Sequence, residues 1–347
     1  MDDHQAATRL MFEYAPEIPL WVQLPVFREE GMIPQFLPGF PGIVNNAGRT
    51  YIDTAHATFD ADVVAFYEEY LAVLEGKADL IPSRFALGLE SAGGFFEFLR
   101  QAPDHAADLF AVKGQITGPF TFTTGLVDAA DRVVFYDDQL RDIAVKLIAM
   151  KARWQARRLA ELGKPVMIFF DEPGLTAFGS SSFISISRED VMACFDEVFE
   201  AVHAENALAG VHVCANAEWS VLLDSTADIV SFDAYSFFDK LLLYADSLKR
   251  FLQRGGVLAW GIVPTSDAEM IRNETVDSLA ARWREQAGRL ASLGIGRERI
   301  NTQSLITPSC GTGSLDLDSA RRVLELTTGL SRRLREVNRE DSKKFAQ

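Results

Sequence analysis

Cysteine is nearly absent: the 347 residues hold only Cys194, Cys214 and Cys310. Three thiols cannot make a disulfide framework. A reducing cytoplasm is therefore expected, where thiols serve metals or catalysis more often than bridges. No run of eighteen apolar residues occurs, so no membrane-spanning helix is expected. The opening MDDHQAATRL lacks the basic and then apolar stretches of a secretory signal. Positive charge is also in short supply, with 34 Lys and Arg against 49 Asp and Glu, a net charge of −15. That argues against nucleic acid or an anionic membrane as a partner, since both need clustered basic residues. No GxGxxG, P-loop or GxSxG pattern is found. Neither a phosphate-cradling turn nor a nucleophile elbow is signalled. With only five His in the chain, a zinc hydrolase built on several of them is a poor reading.

What is there is apolar and regularly punctuated. Hydrophobic residues make up 48% and charged residues 24%, enough for a large core. Eight short apolar runs read as strands: 18–25, 83–90, 111–118, 165–172, 210–216, 228–235, 256–263 and 300–308. Between them lie helical patterns at 60–76, 137–163, 187–205, 246–256, 276–294 and 314–340. Ser187 with Asp190 three residues on is close to a capping box. Eight strands alternating with helices predict an α/β fold, a (β/α)8 TIM barrel in a single domain spanning 1–347. A doubly wound open sheet is the rival. The Pro- and Gly-rich stretch 27–53 reads as an excursion over one end of the barrel.

The barrel is preferred because chemical residues fall at the C-terminal ends of the runs. In GVHVCAN (210–216), His212 and Cys214 are two apart, so they share one face of a strand. Their Cα atoms would lie about 6.6 Å apart, a bite that suits one metal ion. Thiolate with imidazole favours zinc over magnesium or calcium. Cys310 in TPSCGTGS and Asp233 in VSFDAY would complete an N, S, S, O set at one mouth. Zinc can hold a bound thiol as thiolate near neutral pH, the nucleophile needed to accept an alkyl group. The competing reading is core packing for His212 and Cys214 and a helix cap for Asp233. Cys194, on the apolar face of a helix, reads as core.

The remaining polar residues are less specific. Asp171 and Glu172 follow the apolar run VMIFF. Buried acids are costly without partners, so they are catalytic candidates, with Asp171 suited to bind a substrate ammonium or steer a proton. The alternative is that either acid caps the next turn. Glu90 in GLESAGG, Thr117 in KGQITGP and Trp260 in LAWGIVPTS are candidates for lining a substrate pocket.

Five of these stretches together resemble the catalytic C-terminal domain of cobalamin-independent methionine synthase. That family sits in a superfamily with uroporphyrinogen decarboxylase and the corrinoid:thiol methyltransferases. KGQITGP (113–119), FDEPGL (170–175), HVC (212–214), ADIVSFD (227–233) and TPSCG (307–311) carry the resemblance, in that order. It implies zinc on His212, Cys214, Asp233 and Cys310. It implies methyl transfer from a methyl-folate or a methylcorrinoid to a small thiol, with a corrinoid protein as a partner in the second case. Asp171 would hold the amino group of an amino-acid thiol. Asp233 stands where the family usually has Glu, and GIVPTS stands where it has G-x-x-D-x-H, so the thiol and the donor stay open. The alternatives are a metal-free lyase like uroporphyrinogen decarboxylase and a non-catalytic barrel that binds a corrinoid or another ligand.

Overall fold

A computed structural model describes residues 1–46 and 48–345. Two short strands, β1 (Ile43–Asn46) and β2 (Arg49–Ile52), form an antiparallel hairpin. Six more form one parallel sheet: β3 (Val112–Thr117), β4 (Val166–Asp171), β5 (Leu208–Val213), β6 (Ile229–Phe232), β7 (Val257–Val263) and β8 (Ser304–Pro308). They are ordered in sequence, β3-β4-β5-β6-β7-β8. The sheet curls into a half-barrel with helices on its convex side. Among the described residues no helix is long and apolar enough to cross a membrane.

This corrects the expected closed (β/α)8 barrel. The runs at 111–118 and beyond are strands; those at 18–25 and 83–90 are not. The backbone of 18–25 touches β3 through one bridge, Leu20 with Lys113. Pro19 and Pro25 have no N–H to give a ladder. Others of its backbone groups are spent on side chains. The Leu24 N–H donates to the Glu30 carboxylate at 2.7 Å, and the Trp21 carbonyl accepts from Gln115 Nε2 at 2.7 Å. The Val22 carbonyl lies where a Cβ on Gly94 would stand, 1.9 Å away, so only glycine lets the two backbones meet. In 83–90 the Arg84 N–H goes to Glu69 at 2.8 Å and the Ala86 N–H turns back to the Ser83 carbonyl at 3.1 Å. Neither segment therefore extends the sheet.

The helices follow the apolar spacing. In Asp138–Ala160 the buried Leu140, Ile143, Leu147, Met150, Trp154 and Leu159 recur every three to five residues. Each such side chain stabilises by about 1.5–3 kcal/mol. Asp137 caps the first turn through Leu140 N. The sequence placed Ser187 at a helix start, and its hydroxyl does accept from Asp190 N at the head of Arg188–His203.

Alternation divides the sheet. Ile116, Phe170, Val211, Val213, Phe232 and Trp260 face the helices in the main core. Met167, Phe169, Ile229 and Ala259 form a small second core on the concave side. Beyond that patch, towards the C-terminal strand ends, the concave side turns polar. The 27–53 excursion is pinned over the end of β3: Thr117 Oγ1 donates to the Met32 carbonyl at 2.7 Å, and the Ile52 N–H to Val127 at 3.0 Å.

Candidate metal centre

Strand register brings the polar residues together. Thr117, Asp171, His212 and Ser231 are consecutive cross-strand partners on β3 to β6. Cys214 follows directly after β5. Cys310 arrives from the opposite edge, in the turn after β8. That turn is held by the Ser309 N–H on the Val263 carbonyl (2.8 Å) and by the Ser309 and Thr265 hydroxyls (2.9 Å). It crosses β7 at Gly261, where a Cβ would lie 2.8 Å from Ser309 Cα. Gly261 is thus the point of close backbone approach that delivers Cys310.

The result is one tight cluster. One ligand atom each of His212, Cys214 and Cys310 can be chosen so that all lie within 4.8 Å of one another. His212 and Cys214 are half-buried and Cys310 is exposed, which leaves the group open on one side. His212 Nδ1 sits 2.9 Å from Ser231 Oγ, a bond that orients the ring and frees Nε2 for a ligand role. Hydrogen bonds from Cys214 and His212 pull the Cys310 thiol down to about 4, while the same sharing and burial push Cys214 up. One imidazole and two thiols are a donor set that fits zinc.

Asp233 is not in this group. Its carboxylate caps the helix Ala234–Leu241, accepting from Ser236 N at 2.8 Å. The expected N, S, S, O set is therefore N, S, S here, with the acid spent on a helix start. Burial raises the Asp233 carboxyl, opposed by its hydrogen bonds at Ser236 and then by His212.

Asp171 lies on the concave face, register partner of His212. Burial pushes its carboxyl up, opposed by Lys113 and His212. Glu172 points the other way and is fully buried. It accepts from Phe120 N (2.9 Å), Thr121 N (2.8 Å) and Thr121 Oγ1 (2.6 Å), tying β4 to the first turn of the helix Pro119–Gly125. Burial outweighs these bonds and raises it to about 7. A Cβ on Gly118 would come within 2.2 Å of its Oε1. Glu172 thus braces β4 against the segment that follows β3.

Two substrate-lining candidates are also corrected. Trp260 is fully buried on the convex side, against Phe238 and Trp283, with Nε1 on Ser304 Oγ. The odd-even alternation of β7 sends it away from the site. Glu90 is exposed in the turn before the helix Gly93–Gln101. Thr117 is at the site but its hydroxyl is engaged by Met32. Cys194 is buried in the main core and its thiol is pushed up to about 12, as expected of a packing residue.

Sequence reasoning missed Ser231 and Lys113. Ser231 stands two before Asp233 in an apolar strand, so alternation put it on the same face. Lys113 opens the KGQITGP stretch, and a charge inside a strand core was its signal.

No protein-family model matches the chain, and no curated relative was found. Among solved structures it is similar to the tandem GH20 catalytic modules of the pneumococcal exo-β-D-N-acetylglucosaminidase StrH. Identity is 11%, with 94% of this chain and 81% of the other covered, at a TM-score of 0.44. A likeness that weak carries no argument about fold or activity.

Proposed function

We propose that this chain is a zinc-dependent methyltransferase that moves a methyl group from a methyl-folate or methylcorrinoid donor to a small thiol, as the resemblance to cobalamin-independent methionine synthase implies. The observation that supports it best is the convergence of His212, Cys214 and Cys310 within 4.8 Å. Three protein ligands with an open position are the pattern of catalytic rather than structural zinc. When bound, the metal supplies the Lewis acidity that keeps a substrate thiol ionised near neutral pH.

The chain's own residues do the rest. Cys214 and Cys310 would give the two sulfur ligands, and Ser231 keeps the His212 ring turned for its role. Asp233 is engaged as a helix cap and so would not be spent on the metal. Asp171 offers a carboxylate for a substrate ammonium or for a proton. The thiolate attacks the methyl carbon; the S–C bond forms, and the donor nitrogen or cobalt keeps the electron pair of the bond that breaks.

The test is zinc content by mass spectrometry, followed by methyl transfer from methylcobalamin and methyl-tetrahydrofolate to a panel of thiols. About one zinc per chain with S-methyl product supports the proposal. A protein that takes up no zinc when supplied with it sinks the proposal.

A further inference from the structure

The two sulfurs of the cluster lie within 4.8 Å of each other. A disulfide brings its sulfurs to about 2.05 Å, so no more than about 3 Å separates this pair from a bond. Both sulfurs stand on backbone that is free of the sheet ladder. Cys214 is the first residue past β5, where the pairing with β6 ends at Val213 and Phe232. Cys310 lies in the turn between β8 and the helix Leu317–Phe345. Gly311 follows it, and a Cβ built there would meet nothing within 4 Å, so the turn has room to move.

Access differs sharply among the three thiols. Cys310 is exposed, Cys214 is half-buried beside it, and Cys194 is buried in the main core on the helix side of the sheet. A small oxidant therefore meets Cys310 first, with Cys214 in reach to resolve the product. Metal binding and pairing also exclude each other. A sulfur binds a metal as thiolate, and a disulfide sulfur has no such charge to give. Pairing the two would leave His212 as the only ligand of the cluster.

We propose that Cys214 and Cys310 form a redox switch: hydrogen peroxide closes them into a disulfide and so dismantles the metal site, and a dithiol reopens it. The metal half of this rests on the zinc reading of the cluster. The Cys310 thiolate attacks one peroxide oxygen; the S–O bond forms, the O–O bond breaks, and the hydroxide released is protonated to water. The Cys214 thiolate then attacks the Cys310 sulfur; the S–S bond forms, the S–O bond breaks, and a second water leaves. Two electrons pass from the sulfurs to the peroxide, and the two thiol protons end in the two waters. A dithiol returns both electrons and both protons by exchange.

The test treats zinc-loaded protein, its zinc content measured first, with one equivalent of hydrogen peroxide. Free thiols are counted, released zinc is read with a chromophoric chelator, and peptides are mapped by mass spectrometry without reduction. The expected result is loss of the Cys214 and Cys310 thiols, a peptide pair linked through them, and release of about one zinc per chain. Dithiothreitol with added zinc should restore both. Cys194→Ala should show the same linkage and the same zinc release. Cys214→Ser should stop at a sulfenic acid on Cys310, trapped by dimedone. A linkage that includes Cys194 overturns the proposal, as does oxidation of Cys310 to sulfinic acid with no linkage. If the protein takes up zinc and peroxide leaves the two thiols unpaired, the switch alone fails. If it takes up no zinc, the methyltransferase proposal fails, and the metal half of the switch fails with it.

Discussion

Replacing Cys310 by Ser tests the metal centre most directly. The thiol is exposed in a turn beside Cys214 and His212, so the metal-free protein should lose no more than about 0.5 kcal/mol of stability. Zinc binding should suffer far more. Four-ligand zinc sites bind with about 10–16 kcal/mol, or roughly 2.5–4 kcal/mol per ligand. Losing one of three protein ligands should then weaken binding about 10²- to 10³-fold. The assay is competition with a chromophoric chelator near neutral pH, alongside thermal melts of the metal-free forms. Cys194→Ala is the control. Its sulfur is buried in the main core, so stability should fall while zinc affinity stays. An affinity in Cys310→Ser within threefold of wild type would refute the reasoning, because the β8 turn would then not deliver a ligand.

Further outcomes follow from other contacts. Ser231→Ala removes the partner of His212 Nδ1 and should weaken zinc binding about 10- to 100-fold by the same chelator competition. Gly94→Ala sets a Cβ 1.9 Å from the Val22 carbonyl and should cost about 3 kcal/mol, read as a lower urea midpoint. Lys151 is fully buried with only the Ala86 carbonyl at 3.3 Å, and burial depresses it from 10.5 to about 7. The unfolded chain then binds more protons between those two values, so stability should rise as pH climbs through that window and be lowest below it. Lys151→Met should flatten this rise and stabilise the protein at neutral pH by on the order of a few kcal/mol, measured by urea unfolding at several pH values.

The chemistry of the site was legible where it depended on local spacing. A two-residue step in a strand puts His212 and Cys214 on one face whatever the fold, and the odd Cys310 in a Gly-flanked turn was the natural third ligand. Asp233 was ambiguous for a local reason. An Asp at the start of a helix is as good a cap as it is a ligand, and the Ser236 N–H settled which. Trp260 was misread because a large aromatic at a strand end looks alike from either face. Its neighbour Gly261 was the informative residue.

Strands β3 to β8 and the long helices were set by periodicity, because apolar alternation and three-to-four spacing act over a few residues. Whether 18–25 and 83–90 joined the sheet was not a local matter. Both runs are apolar enough to be strands, but their backbone groups found Glu30, Gln115, Glu69 and the tight Val22 to Gly94 contact instead. Those partners lie up to 94 residues away in the chain. By itself, then, the sequence determined the strand faces and the residue types that can meet a metal. Tertiary structure alone decided that the sheet stays open and that the turn after β8 crosses Gly261 to reach β5.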